Sequence, residues 1–217
     1  PGIGAIGLRY QGSVIALKAQ SHGDIVALCD VDRHMREQGR ASFGSTPKIF
    51  EDYHDLINRK DVDVVTIGTP DHWHTKMVID ACRAGKDVYV EKPLSHVFNE
   101  GPMMIEAAKR YGRVVQQGSQ MRSSAVTAKA GRLLKQGIIG EVKVARAWTA
   151  ETRNVVRPVP DSTPPQGVDY DRWLGPAPKR AFNKYRFHGT WRMFRDYANG
   201  EIGDDGIHDL DMAAWGL

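Results

Sequence analysis

Cysteine is nearly missing from this sequence, with only Cys29 and Cys82 among 217 residues. Both fall in apolar stretches, one a predicted strand and the other a predicted helix. That argues against a disulfide framework and for buried thiols. No apolar run approaches the ~20 residues of a membrane span, so no membrane association is expected. Neither sign of charge dominates: 30 Lys and Arg stand against 26 Asp and Glu, for a net charge of +4. Such a balance suits an anionic ligand or plain solubility and does not by itself point to nucleic acid. No internal repeat, low-complexity tract or secretory signal is visible. The chain opens at Pro1-Gly2-Ile3, almost inside a strand, and a removed leader would leave the same start. What remains is a globular balance of 41% hydrophobic and 26% charged residues, long enough for one large domain or one and a half ordinary ones.

Short β-branched runs alternate with amphipathic stretches through the first half. Strands are expected at Ile3–Gly7, Asp24–Cys29, Val62–Gly68, Asp87–Val90 and Arg113–Gln116. Helices are expected at Gly12–Gln20, Arg33–Phe43, through Met77–Arg83 and at Asn99–Tyr111. This order predicts an α/β fold, a doubly wound parallel sheet of the dinucleotide-binding (Rossmann) kind over residues 1–122. The pattern changes near Gln120. A helix at Ala125–Lys135 and an alternating strand at Gly140–Trp148 open a second, α+β domain over residues 123–217. Glu151–Lys184 holds most of the prolines and has little periodicity. An irregular stretch of that length is usually functional or disordered.

The first strand runs into Gly7-Leu8-Arg9-Tyr10-Gln11-Gly12. The dinucleotide fingerprint wants glycine at its first, third and sixth places; Gly7 and Gly12 fit, and Arg9 takes the middle one. Arg9 then either pairs with a phosphate or points to solvent. Asp30 closes the second strand at the spacing of the acid that accepts adenine-ribose hydroxyls, which favours NAD over NADP because a carboxylate repels a 2′-phosphate. Arg33 softens that preference, and Asp32 reads as a helix N-cap. Thr69, Pro70, His72, Trp73 and His74 follow the next strand, at the edge where ligands bind in open α/β sheets, so they are candidate cofactor contacts. Asp71 reads as a helix cap. His72 and His74 are spaced like a metal pair but have no acidic or thiol partner at a ligand-like offset, so no metal is expected.

Glu91-Lys92-Pro93 stands at the end of the next strand. Proline there stops a helix and suits a cis bond that fixes the direction of the lysine; the plainer reading is a surface lysine before a turn. Farther on, Asp204 and His208 would lie one helical turn apart. A carboxylate touching an imidazole raises its basicity and makes a general base near neutral pH. The alternative is a capping Asp204 and a packed His208.

Taken together and in order, these motifs resemble the Gfo/Idh/MocA oxidoreductase family over residues 2–217: the altered glycine loop, Thr69-Pro70 with His74, Glu91-Lys92-Pro93, and Asp204 with His208. Pro70-Asp71-His72-Trp73-His74 and Trp173-Leu174-Gly175-Pro176 are similar to a bacterial subgroup, some of whose members carry twin-arginine export signals. The resemblance implies a bacterial NAD-dependent dehydrogenase of the cytoplasm or periplasm acting on a small sugar or polyol, homo-oligomeric when full length. It implies that His208 removes the hydroxyl proton, Asp204 supports it and binds substrate, and Lys92 stabilises the developing alkoxide. By the same resemblance Arg192 sits near the substrate, and Gln120 and Glu91 lie at the nicotinamide end. Family members usually run on for more than a hundred further residues, so the chain reads as a fragment, with Ile207, Leu210, Ala214 and Trp215 on an exposed apolar helix face.

Two variations stay open. Some relatives oxidise a sugar only transiently and act as glycosidases without net NADH, and a sensor could keep the fold without the chemistry. The basic, aromatic run Lys179–Arg195 has the composition of a single-strand nucleic-acid platform. Rings and guanidinium groups suit sugars equally well, so no nucleic-acid partner is expected.

Overall fold

The computed structural model describes residues 1–149 and 158–217. Six parallel strands form one sheet in the order β3-β2-β1-β4-β5-β6: β1 Gly2–Ile6, β2 Asp24–Cys29, β3 Lys48–Phe50, β4 Val64–Ile67, β5 Asp87–Val90 and β6 Val115–Gln117. Helices α1 (Gln11–Ala19), α2 (Arg33–Phe43), α3 (Tyr53–Ile57), α4 (Asp71–Arg83) and α5 (Glu100–Tyr111) connect them. The sheet buries both faces, which is why its strands are continuous apolar runs instead of alternating ones. Ile67, Val65, Val78, Cys82 and Val90 fill one side; Ala5, Leu8, Ala16, Leu28 and Met35 fill the other. Each fully buried aliphatic side chain contributes roughly 1.5–3 kcal/mol. Strand order reverses between β1 and β4, and the carboxyl ends of those strands open the crevice where α/β sheets bind ligands.

The second half adds α6 (Ala125–Lys135), α7 (Tyr170–Leu174) and α8 (Ile207–Gly216), the last entered through a π-helical turn at Ile202–Gly206. The strand expected at Gly140–Trp148 does not form, since none of those residues pairs with a neighbouring strand. The irregular stretch expected from Glu151 contains α7, capped by Asp169, whose side chain accepts from the Arg172 N–H; its residues 151–157 lie outside the described ones.

Residues 167–199 lie along the crevice edge of the sheet instead of standing apart from it. Val168 forms an antiparallel bridge with Asp32, and the Arg33 N–H donates to the Gly167 carbonyl at 2.8 Å. An aromatic cluster of Trp173, Phe182, Phe187, Trp191 and Tyr197 packs under this segment with Val31 against it. On α8, Leu210 is 47% exposed and Ala214 is exposed as expected, whereas Ile207 and Trp215 are partly covered. Trp215 lies against Gly131 of α6 and under the Arg122 guanidinium.

Candidate active site

A cavity of about 1040 Å³ runs along the carboxyl ends of β1, β2, β4 and β5. At its head, Gly7 turns the chain with φ 79°, a left-handed conformation that side chains disfavour. The start of α1 packs so closely on this turn that a Cβ on Gly12 would lie 1.7 Å from the Gly7 carbonyl oxygen. Gly12 thus seats the helix without lining the cavity, and Gln11 lines it instead. Leu8 lines nothing: its side chain is buried and only its N–H acts, donating to Asp30 Oδ2 at 2.8 Å. Leu8, a candidate cofactor residue as part of the glycine turn, thus stands behind the cavity wall and not on it. Arg9 is exposed on the rim, with His188 near enough that the positive charge helps hold the imidazole pKa down, after burial.

Asp30 accepts a second backbone bond, from Asp32 N–H to Oδ1 at 2.9 Å. Burial pushes its carboxyl up to about 6, against the pull of both N–H donors. Asp32 caps α2 through the His34 N–H at 2.9 Å, as its sequence position indicates, and its other oxygen meets His188 Nε2 at 2.9 Å. Arg33 is directed away, with its side chain largely exposed and near Glu37.

Along the middle of the cavity, Thr69, Pro70 and Trp73 line the wall. His72 and His74 do not, and here the sequence expectation is corrected. His72 is buried, with Nε2 donating to the Trp173 carbonyl at 3.0 Å; the same oxygen accepts from Trp73 Nε1 at 2.9 Å. Burial pushes the His72 pKa down to about 4, so the ring is a neutral structural donor at neutral pH. His74 is 1% exposed and lies between two carbonyl oxygens, Pro93 at 2.7 Å from Nδ1 and Thr69 at 2.9 Å from Nε2. Burial also lowers its pKa. The ring pins the loop after β4 to the loop after β5.

At the far end, the Lys92–Pro93 bond is cis. Lys92 Nζ reaches Asp204 Oδ1 at 2.9 Å and also donates to the Asp204 backbone carbonyl. Arg192 Nε meets the same Oδ1 at 2.9 Å, and its guanidinium lies 4.4 Å from the Trp191 ring centroid. Hydrogen bonding from Lys92, with the charges of Arg192 and Lys92, overcomes burial and holds the Asp204 carboxyl below its ordinary range. Asp204 sits on the π-helical turn and His208 on the first turn of α8. Lys92, Arg192, Asp204, His208 and Gln120 all line the cavity. A smaller cavity of about 270 Å³ shares Lys92 and His208. Glu91 is buried; it accepts from Gln11 Nε2 at 3.0 Å, joining the glycine turn to the lysine loop.

Residues 2–119 match the family model described as "Oxidoreductase family, NAD-binding Rossmann fold", and residues 134–217 match "Oxidoreductase family, C-terminal alpha/beta domain". The chain belongs to the Gfo/Idh/MocA oxidoreductase family. An inositol 2-dehydrogenase of Salmonella typhimurium is 31% identical over 173 residues, covering 77% of this chain and 48% of that protein. A glycosyl hydrolase family 109 protein of Shewanella pealeana is 28% identical over 214 residues, covering 93% of this chain and 45% of that protein. Among solved structures, an oxidoreductase domain protein from Kribbella flavida aligns with TM-score 0.73 at 26% identity, over 99% of this chain and 53% of that one. The chain thus spans about half the length of the curated relatives it matches.

The Gfo/Idh/MocA crevice fits a dinucleotide on its own geometry. An acid stands at the head, a glycine turn and helix start follow, and an elongated cavity leads to a lysine at the far end. Several lining residues were not among the site candidates read from the sequence. Arg172 bridges to Asp52 at 2.7 Å, and Trp173, His188 and Trp191 reach the cavity from more than a hundred positions beyond the turn they face. Asp71, read as a helix cap, lines the cavity, and the N-cap position belongs to Pro70. Among the described residues, no group of three or more His, Cys, Asp or Glu side chains could hold a metal ion, and no helix is long and apolar enough to cross a membrane.

Proposed function

We propose that this protein is an NAD-dependent oxidoreductase that transfers a hydride between the hydroxyl-bearing carbon of a sugar, polyol or sugar derivative and the nicotinamide. The observation that carries the reading is the meeting of Lys92, from the nucleotide-binding half, with Asp204, Arg192 and His208, from the other half, at one end of a cavity that begins at Asp30. The Gly7 turn, with the start of α1 that Gly12 seats against it, would hold the diphosphate, and Asp30, oriented by the Leu8 N–H, the adenine ribose; Thr69, Pro70, Glu91 and Gln120 would flank the nicotinamide. When bound, NAD supplies the hydride acceptor. His208 takes the hydroxyl proton. Lys92 donates to the reacting oxygen and stabilises its negative charge as the proton leaves. Asp204 stays ionised between Lys92 and Arg192, which fixes the direction of the lysine. The test is NADH absorbance on mixing protein, NAD and a panel of sugars and polyols. Turnover is expected with at least one, and His208→Ala should abolish it while NAD still binds. A wild type that binds NAD but turns over none of the panel refutes the reading.

The match to a glycosyl hydrolase family 109 protein over 93% of the chain favours a second reading. In it the same residues serve a glycoside cleavage that leaves no net NADH. Release of nitrophenol from nitrophenyl glycosides without NADH accumulation would select it over the first.

A further inference from the structure

Lys92, Arg192 and Asp204 account for one carboxylate between two cations, yet a second carboxyl faces the same group. Asp71 is 5% exposed and lines the same cavity, near enough to Lys92, Arg192 and Asp204 to feel their charges. Against its burial, the charges of Arg192 and Lys92 and the nearby Asn199 backbone N–H act to lower its pKa, and the charge of Asp204 raises it. We infer that Asp71 is a specificity-determining residue that hydrogen-bonds a substrate hydroxyl adjacent to the one held by Lys92. This rests on the polyol reading above and narrows it to substrates bearing vicinal hydroxyls.

The first position of a helix gives a carboxylate some stabilisation, but an exposed one gains that without the cost of burial. Asp71 meets that cost at the wall of the cavity, one residue past the Thr69-Pro70 loop. Burial pushes its carboxyl up to about 7, while Lys92 and Arg192 hold Asp204 ionised. Two carboxyls in one site with environments that drive them apart take different roles. The ionised one orients the lysine, and the one near neutrality both donates and accepts, which matches the hydroxyl group of a polyol. A vicinal diol also occurs on the nicotinamide ribose, so the test must tell the two apart.

The experiment compares kcat/KM for the polyol that the NAD-loaded protein oxidises with its deoxy analogues, each lacking one hydroxyl. A site built to bond a hydroxyl rejects the analogue without it by a factor of about 10² or more. In Asp71→Ala that gap should shrink to within about tenfold for one analogue, because its partner is gone. NAD affinity should be unchanged. A lost structural tie to Asn199 would slow all analogues equally and leave the gap intact, which overturns the inference. So does a gap that persists while NAD affinity drops, since the ribose would then be the partner. Should Asp71→Ala not fold, Asp71→Ser keeps an acceptor near the Asn199 N–H, and the gap must shrink there too. A wild type inactive on every polyol overturns the parent reading and this one with it; an active wild type with an unchanged gap overturns this one alone.

Discussion

Protonating Asp30 should weaken NAD binding, and its burial sets the pH at which this happens. In the folded chain the carboxyl titrates at about 6. As a carboxylate, each oxygen already takes one backbone N–H and keeps a lone pair for a ribose hydroxyl. Below about 6 one of those lone pairs is occupied by a proton. If the carboxylate is the binding form, the Kd for NAD rises about tenfold between about pH 8 and about pH 5. Asp30→Asn should bind NAD as weakly as the protonated wild type and show little slope over the same range. The stability of the cofactor-free protein should move the other way. The unfolded chain ionises Asp30 near 4, so between about 4 and 6 the folded state holds more protons, and lowering the pH through that window stabilises it. The wild type should gain on the order of 1 kcal/mol over Asp30→Asn on going from about pH 7.5 to about pH 5. Tryptophan quenching titrations and urea melts at each pH measure both. A flat Kd in the wild type, or parallel slopes in the wild type and Asp30→Asn, refutes the assignment of Asp30 as the ribose acid.

Lys92→Met should lower kcat by about 10²–10³ while NAD affinity holds, because one charged donor to the reacting oxygen is lost; a stopped-flow comparison reads both. Gly12→Ala places a methyl 1.7 Å from the Gly7 carbonyl oxygen, so α1 must lift from the turn. The cost should be about 3 kcal/mol in a urea melt, with loss of NAD binding. His74→Leu leaves whichever of the Thr69 and Pro93 carbonyls the neutral ring donates to without its buried donor, and empties the site between the two loops. It should cost about 2–4 kcal/mol, and a melt within 1 kcal/mol (roughly) of wild type would show that water replaces the ring.

Much of the nucleotide-binding half is legible because local pattern and fold agree there. The runs around Ile6, Leu28, Ile67 and Val90 are apolar on both faces, as strands of a covered parallel sheet must be. Gly7, Gly12 and Asp30 are candidates by spacing to a strand end, a local rule, whereas the role of Lys92 comes from the family resemblance. β3 and α3 were not visible because three and five residues are too few to show a period. The Gly140–Trp148 pattern alternates correctly, but alternation makes a strand only where an edge is there to pair. His74 was misread although a signal existed: it precedes Val78 by one helical turn and Ala81 by two, which puts it on the core face of α4. Arg172, Trp173 and His188 could not be placed from sequence, since only long-range packing brings them to the cavity.

The Trp173 carbonyl receives hydrogen bonds from two side chains of α4, and Val168, Gly167 and Asp169 are stitched to the turn after β2. Recombination between homologues near residue 122 would therefore cut through matched partners, not between independent modules. A donor second half finds its anchorage only on a recipient that offers a donor pair equivalent to His72 and Trp73. Chimaeras joined near residue 122 should express poorly unless both halves of that seam travel together.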